Sequence, residues 1–423
     1  MKRMFLAVFF LWACSDSDAG SDAGSLTDNG LLTDGASVII DFETPTPVAA
    51  STRWILVGNT AQTFDGSKVV YGQGFINLID RQTRKVVRKI NTTQRNPVHI
   101  GVHDDVAYIV NSGVTEFDEN FLGNVKEGGG IDVLDLSGDL PDKMTDNIPL
   151  GTSTKDARIG AYGTMFLDST GTIAFVGSGT RGDVFKVDLK NRSVLRGADD
   201  PIVIFETPEM TNGWTLLRLC GESLAVLNFN TDELCITDDF EGDLATRNCS
   251  EIGVNKDMLE GPVDIVCPSD GVALVLMSVA NSVYRLDLDE EPFGIENVFA
   301  QTGLANNRIL IGGEYAYVVN SMDNNLQRIQ ISSRKSDLPF AVLPVKSNPY
   351  DMVITQEVEG EVAWVTLMVA NQVALVSLSS GAIIQLVGST TVAQDAGVIE
   401  DAGWDAGLEI DGGAPIDAGV SVD

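Results

Sequence analysis

Histidine is scarce in this sequence: only 2 histidines, His99 and His103, occur in 423 residues. So small a number excludes multi-histidine copper clusters, and without a C-x-x-C-H motif a bis-histidine c-type haem is excluded as well. The sequence also contains no G-x-S-x-G, H-E-x-x-H or P-loop motif, and these are the usual signatures of nucleophile, zinc and phosphate chemistry. We therefore expect no cofactor and no metal site.

Basic residues are scarce too, with 28 Lys and Arg against 60 Asp and Glu and a formal net charge of −32. An acidic surface repels the phosphates of nucleic acid and of bare phospholipid, so neither is an expected partner. Cationic ligands or metal ions suit this charge better, although solubility alone explains it.

In place of long apolar runs, the chain carries many short ones bounded by turn residues. Four of them follow one another in Asn348–Gly388, which reads as one antiparallel sheet. Their bounds are Asp351–Thr355, Val362–Val369, Gln372–Leu378 and Ala382–Val387. The pattern recurs, roughly every 40–60 residues, in Arg53–Ile90, Asn96–Gly113, Tyr162–Leu189, Gly213–Thr237, Gly261–Leu288 and Ala305–Ile331.

These seven copies predict an all-β fold. A four-stranded unit cannot bury both faces alone, but units stacked radially bury them against their neighbours. We therefore predict a seven-bladed β-propeller of four-stranded antiparallel blades between about Arg53 and Gly388. A β-sandwich or a solenoid of similar strands is the alternative.

Short motifs inside the copies carry a resemblance. They are P-x-x-I-x-V at Pro97–Val102, A-Y-I-V-N at Ala107–Asn111 and A-Y-V-V-N at Ala316–Asn320. This pattern resembles the YVTN-type β-propeller repeat, which is found in seven-bladed propellers similar to cytochrome-cd1, surface-layer and lactonase-like proteins. The resemblance implies the fold and leaves the function open.

The N-terminus reads as an export signal. Residues 1–13 hold Lys2 and Arg3 followed by an apolar run, which is typical of a signal peptide. Leu11–Cys14 resembles a bacterial lipobox, although Trp12 departs from the pattern. It implies cleavage before Cys14 and a lipid anchor on that residue; a plain secretory signal is the alternative. With Ser15 next, the expected location is the outer membrane of a Gram-negative bacterium, facing the periplasm or the cell surface.

Low-complexity segments flank the predicted propeller. Residues 14–37 and 389–423 are dominated by Asp, Ala, Gly and Ser. Such segments bury too little apolar surface to offset their ordering entropy. We predict a disordered tether at 14–37, the propeller at 38–388 and a disordered tail at 389–423.

Apart from Cys14, four cysteines remain, and in an exported chain an even number favours disulfides. Three pairings are possible. Cys220 and Cys267 end the first strands of neighbouring copies, whereas Cys235 and Cys249 lie in the distal half of one copy. We therefore predict Cys220–Cys267 and Cys235–Cys249; four free thiols are the alternative.

First strands of a propeller line its central channel, so their polar residues are candidate ligand contacts. The residues preceding the apolar position of these strands are Arg53, His99, Asp264, Arg308 and Asp351, with Met165 and Thr215 in copies three and four. This ring is suited to an anionic or zwitterionic ligand, with His99 beside Asp264 or Asp351 as a possible general base. Alternatively, the charges pair with one another and plug the channel.

The longest insertion, Val114–Gly130, is a candidate binding loop or a plain flap.

Taken together, the sequence predicts a binding or scaffolding module for an unknown protein or small molecule. A lactonase-like hydrolase using His99 is the main alternative, and a structural envelope component is a third.

Overall fold

A computed structural model describes residues 42–65, 68–118, 122–205 and 213–388. The predicted signal peptide, tether and tail, including Cys14, lie outside these residues. The described chain folds into seven antiparallel sheets of four or five strands, called blades 1 to 7 in sequence order, and two two-stranded hairpins. The all-β seven-bladed propeller is thus confirmed. None of the described residues belongs to a helix long and apolar enough to cross a bilayer.

Blades 1 to 3 hold the N-terminal half of the strands. Blade 1 and its hairpin comprise β1 (Pro45–Ala50), β2 (Trp54–Asn59), β3 (Gln62–Asp65), β4 (Lys68–Tyr71), β5 (Phe75–Asp80) and β6 (Lys85–Asn91). Blade 2 and its hairpin comprise β7 (Pro97–His103), β8 (Val106–Asn111), β9 (Val114–Phe117), β10 (Gly123–Glu127), β11 (Gly129–Asp135) and β12 (Asp146–Gly151). Blade 3 comprises β13 (Tyr162–Leu167), β14 (Ile173–Ser178), β15 (Asp183–Asp188), β16 (Ser193–Arg196) and the short β17 (Ile202–Val203).

Blades 4 to 7 follow with four strands each. Blade 4 comprises β18 (Thr215–Cys220), β19 (Ser223–Asn228), β20 (Glu233–Thr237) and β21 (Asn248–Glu251). Blade 5 comprises β22 (Pro262–Ser269), β23 (Val272–Met277), β24 (Ser282–Asp287) and β25 (Gly294–Gln301). Blade 6 comprises β26 (Asn306–Gly312), β27 (Tyr315–Asn320), β28 (Asn325–Gln330) and β29 (Ser336–Val342). Blade 7 comprises β30 (Pro349–Glu357), β31 (Gly360–Leu367), β32 (Gln372–Ser377) and β33 (Ile383–Val387).

The burial of each strand follows its distance from the axis. Second strands such as β23 are buried along nearly their whole length, because both faces pack against neighbouring blades. That double burial explains why they read as continuous apolar runs rather than alternating ones. The outermost strand β33, in contrast, is mostly exposed. Large side chains such as Trp54 and Trp364 are fully buried between blades, where each contributes a few kcal/mol of apolar burial.

The turns between second and third strands repeat one conformation in the last three blades. Asn281, Asn324 and Asn371 have φ values of 48°, 50° and 52°. Asparagine tolerates this left-handed region better than most residues. An asparagine with positive φ therefore reverses the chain at each of these three turns.

The ring closes between blades 1 and 7 without exchanging a strand. The first strands β1 and β30 lie side by side. The Thr44 amide donates to Asn371 Oδ1 at 2.8 Å, and Thr366 Oγ1 donates to Thr46 O at 2.9 Å. Phe42 packs in the same apolar interface as Trp364. Closure therefore depends on side-chain packing and a few hydrogen bonds across the seam.

Blade 1 differs from the sequence prediction. Its first strand is Pro45–Ala50, and Trp54–Asn59 is its second strand. Within the predicted copy Arg53–Ile90, Lys68–Tyr71 pairs with Gln62–Asp65 in the β3–β4 hairpin and is not part of the four-stranded sheet. The two prolines Pro45 and Pro47 hid the first strand, since proline argues against a central strand. They are tolerated because the first strand is an edge strand at the axis, paired only with β2.

Both predicted disulfides are confirmed. Cys220 of β18 is joined to Cys267 of β22, with their Cα atoms 5.1 Å apart. Cys235 and Cys249 lie directly opposite each other on β20 and β21, with their Cα atoms 4.0 Å apart. The first bond therefore links two blades at the axis, and the second links the two outer strands of blade 4.

Candidate functional site

A cavity of about 400 Å³ opens on the propeller axis. It lies on the face where second strands connect to third strands, since Ser112 and Ser278 on those connections line it. Its aromatic lining residues are Tyr71, Phe117, Tyr162, Trp214, Phe229 and Tyr350. Pockets of this size, with apolar walls and a few converging polar groups, are typical small-molecule sites.

A β-bulge sets which side chains reach this cavity. Six of the seven first strands shift register near their second residue, for example between Pro262 and Asp264. The residue at or next to the shift then lines the cavity, as His99 and Arg308 do. Bulges commonly re-aim side chains in this way. Strand β18 of blade 4 is the exception, because it pairs with β19 without a shift.

Four charged residues form a chain of ion pairs at the floor, and we call them the axial quartet: Arg218, Asp264, Arg308 and Asp351. Arg218 Nε lies 2.5 Å from Asp264 Oδ1. Arg308 Nη1 lies 3.3 Å from Asp264 Oδ2, and Arg308 Nε lies 3.1 Å from Asp351 Oδ1. The quartet spans blades 4 to 7 and is neutral as a whole.

Backbone amides hold the two carboxylates in place. Asp264 accepts from the amides of Ile265 at 3.1 Å and Ile309 at 2.9 Å. Asp351 accepts from the amides of Val48 at 3.1 Å and Met352 at 2.8 Å. Each carboxylate therefore ties its own blade to the next one around the ring, and the Asp351 bond is part of the closure of blade 7 on blade 1.

Burial and pairing shift the pKa values in opposite directions. Burial raises the pKa of the Asp351 carboxyl, although Arg308 and the two amides counteract this. Burial lowers the pKa of Arg218, whereas for Arg308 the carboxylates of Asp264 and Asp351 outweigh burial and raise the pKa. A guanidinium is so strongly basic that both arginines are treated as charged at neutral pH.

His99 lies at the same level of the cavity. Burial, followed by the charges of Arg218 and Arg308, lowers its pKa well below the ordinary value of 6.5. The backbone of Met165 on the next blade hydrogen-bonds the ring. The imidazole is thus neutral at pH 7 and oriented by the backbone of Met165.

Two hairpins shape the mouth on one side. Within the insertion Val114–Gly130, β9 and β10 pair as a hairpin that contributes Thr115 and Phe117 to the lining. The β3–β4 hairpin contributes Tyr71. Both connect the second and third strands of their blades, so they stand on the cavity face beside each other. The mouth is therefore asymmetric, with added walls on blades 1 and 2.

The structure brings four of the five predicted channel residues together. His99, Arg308 and Asp351 line the cavity, Asp264 lies fully buried behind Arg308, with which it pairs, and Arg53 is outside the cavity. Arg53 lies in the turn between β1 and β2, where its side chain is 51% exposed. It stacks 4.3 Å from the Trp54 ring centroid. The error follows directly from the missed first strand of blade 1.

Arg218, Tyr350 and the aromatic walls were missed. In copies three and four the predictions were one residue off, because Thr164 and Leu216 line the cavity in place of Met165 and Thr215. Arg218 lies two residues beyond Leu216 and so points to the same side of β18. A polar residue in the otherwise apolar run Leu216–Leu219 was the available signal. Among the described residues no group of three or more His, Cys, Asp or Glu is placed to hold a metal.

No protein-family model matches the chain, and no curated protein sequence matches it. Solved structures do match, at low identity. A protein from Lactobacillus plantarum is 13% identical with a TM-score of 0.54, over 80% of this chain and 96% of its own. A catalytically inactive virginiamycin B lyase from Staphylococcus aureus, crystallised with quinupristin, is 11% identical with a TM-score of 0.53, over 79% and 94% of the two chains.

A periplasmic gluconolactonase from Pseudomonas aeruginosa is 12% identical with a TM-score of 0.53, over 73% of this chain and 87% of its own. Identities this low establish the shared β-propeller fold and nothing about chemistry. The resemblance to the YVTN-type repeat stays a prediction.

Proposed function

We propose that this protein is a cell-envelope lipoprotein whose propeller binds a small molecule in the axial cavity without converting it. The observation that carries this proposal is the pairing of the axial quartet beneath an aromatic cavity of about 400 Å³. Carboxylates that already accept from backbone amides and arginines are poor general bases. An enzyme site instead keeps its reactive group unpaired and accessible.

The cellular part of the proposal rests on the sequence. The lipobox-like Leu11–Cys14 and the acidic segments on both sides of the propeller support a lipid-anchored protein held away from the outer membrane by a tether. In that setting the cavity would meet solutes of the periplasm or of the cell exterior.

Ligand binding is tested with a fragment library of neutral, anionic and cationic compounds, screened by thermal shift on the purified chain. Binders should stabilise the protein in a concentration-dependent way, since a ligand specific for the native state raises its stability. Gly179→Phe serves as the blocking variant. An added Cβ at Gly179, on the cavity wall, meets nothing closer than 3.6 Å. If Gly179→Phe responds to the same fragments as the wild type, binding is elsewhere and the proposal is wrong.

A lactonase-like hydrolase is the second candidate, and one observation favours it: His99 is neutral at pH 7 and held by the Met165 backbone, as a general base would be. A panel of lactones and esters should be assayed with the wild type, His99→Ala and His103→Ala. His103, whose imidazole lies 3.6 Å from Asp104, is the matched control because it is not among the lining residues. Turnover abolished by His99→Ala alone would replace the binding proposal with the hydrolase.

A further inference from the structure

In the axial quartet, the Asp264 carboxylate already accepts several hydrogen bonds, whereas each guanidinium keeps N–H groups that donate none. The Asp264 carboxylate receives Arg218, Arg308 and the amides of Ile265 and Ile309. In contrast, Arg218 uses Nε for Asp264 and Nη1 for Leu217 O at 2.9 Å. Its Nη2, and likewise Nη2 of Arg308, makes no hydrogen bond to any of the residues that the structure describes. At the floor of the cavity, the groups still available to a ligand are therefore hydrogen-bond donors.

The exposed parts of both arginine side chains, Arg218 and Arg308, lie at the cavity. Their side chains are 16% and 19% exposed, and both residues line the cavity wall. A guanidinium with free N–H groups at the bottom of an apolar cavity is matched by a carboxylate, which accepts two parallel hydrogen bonds.

The tyrosines beside the quartet add donors. Tyr71 and Tyr350 line the cavity, and within the described part of the chain neither hydroxyl has a hydrogen-bond partner. Burial raises the pKa of Tyr71, and it raises that of Tyr350 to about 12. Both phenols therefore stay protonated and able to donate at physiological pH.

We infer that the cavity takes a small organic monocarboxylate with an apolar or aromatic body, whose carboxylate lies against Arg218 and Arg308. This inference rests on the proposed binding function and names its ligand class. The apolar body would lie against Trp214, Phe229 and Tyr162, which are aromatic lining residues of the cavity.

Other head groups fit less well. A phosphate dianion would bring two negative charges to a floor whose arginines are already neutralised by Asp264 and Asp351. An ammonium would find the same carboxylates occupied, with Asp264 itself fully buried. A ligand with a single negative charge can accept hydrogen bonds from the free N–H groups and is repelled least by Asp264 and Asp351.

The test compares three head groups on one body: 3-phenylpropanoate, 3-phenylpropanamide and 3-phenylpropylamine. Binding to the full-length chain is followed by calorimetry and by the fluorescence of Trp214, with Trp214→Phe used to assign the signal. Charge-assisted hydrogen bonds are roughly twice as strong as neutral ones. We therefore expect the carboxylate to bind at least ~10-fold tighter than the amide, and the amine more weakly than both.

Arg218→Gln should lower the affinity for 3-phenylpropanoate to that for 3-phenylpropanamide. It leaves Asp264 hydrogen-bonded to Arg308 and two amides, so this carboxylate keeps partners although the quartet loses one positive charge. Arg334→Gln is the matched control, because Arg334, in the turn between β28 and β29, also forms an ion pair, with Glu296 of β25. If Arg218→Gln does not fold, the affinities of the three probes for the wild type still test whether the cavity prefers a carboxylate.

Two outcomes contradict the inference in different ways. If the amide binds as tightly as the carboxylate and Gly179→Phe blocks both, the cavity is a ligand site but the head-group assignment is wrong. If none of the three probes binds while the fragment library yields cavity ligands of another charge, the monocarboxylate is again wrong and the proposed function stands. If neither probes nor library bind, both fail.

Discussion

Asp183 is a buried carboxylate whose charge costs stability. It begins β15, is 1% exposed, and neither of its oxygens accepts a hydrogen bond from a described residue. The nearest cation, Arg181 Nε, is 3.7 Å away, and Arg181 is itself paired with Asp156 at 2.5 Å. Burial raises the pKa of Asp183 to about 6, with Arg181 opposing this only in part. The group is therefore better accommodated neutral than charged.

The size of the effect follows from the pKa. A carboxyl raised from its ordinary 3.8 to about 6 loses up to about 3 kcal/mol of stability when ionised, at ~1.4 kcal/mol per tenfold change in proton affinity. Because the folded-state pKa is above the unfolded one, the penalty is absent below pH 4, grows towards pH 6 and is complete above it. Asp183→Asn should therefore stabilise the protein at pH 7.5 by about 1–3 kcal/mol and change little at pH 4.

The measurement is urea unfolding of the wild type and Asp183→Asn at pH 4, 5, 6 and 7.5. Asp232→Asn is the comparison, because burial raises its pKa to about 6 as well. Unlike Asp183, the Asp232 carboxylate accepts from the amides of Glu260 and Gly261, at 3.1 and 2.8 Å. An asparagine there would turn its NH₂ towards an amide, so Asp232→Asn should not stabilise. Equal stabilisation by both variants, or a pH-independent effect of Asp183→Asn, would refute the reasoning.

Three further predictions concern the blades, the cavity and the anchor. Replacing Cys235 and Cys249 together by Ser should lower the unfolding free energy by about 3 kcal/mol, because their loop of 14 residues is released in the unfolded chain; an unchanged urea midpoint would contradict this. Binding of 3-phenylpropanoate should tighten only as the pH falls below the ordinary histidine pKa of 6.5, since a bound anion raises the depressed pKa of His99 and favours its protonation. Calorimetry of His99→Gln should show the head-group preference without that pH dependence. Palmitate labelling of cells should be lost in Cys14→Ser, and labelling equal to that of the wild type would exclude the lipobox.

Much of the propeller could be predicted because it is encoded locally and repeatedly. All four strands of blade 7 were predicted near their observed bounds, since apolar runs and turn residues mark them without reference to the rest of the chain. The disulfide pairing was predictable as well. Cys220 and Cys267 end the first strands of consecutive copies, and a propeller places those strands side by side.

The candidate site could be predicted only in part. His99, Asp264, Arg308 and Asp351 share one position of the repeat, so recognising the repeat was sufficient to group them. Arg218 reaches the cavity from a different position, because β18 lacks the bulge of the other first strands. A bulge depends on pairing with the second strand, and no short stretch of sequence specifies it.

The sequence by itself predicted the number of blades, the strands of blade 7 and the disulfide pairing, because each of these was argued from the positions of short segments within the copies. Only the tertiary structure decided that Pro45–Ala50 is the first strand of blade 1 and that Arg53 lies outside the channel. It also decided that the axial charges pair beneath an open aromatic cavity in place of plugging the whole channel. Those outcomes depend on how the seven first strands meet at one axis. Residues as far apart in sequence as Val48 and Asp351 are in contact there, and only closure of the ring brings such residues together.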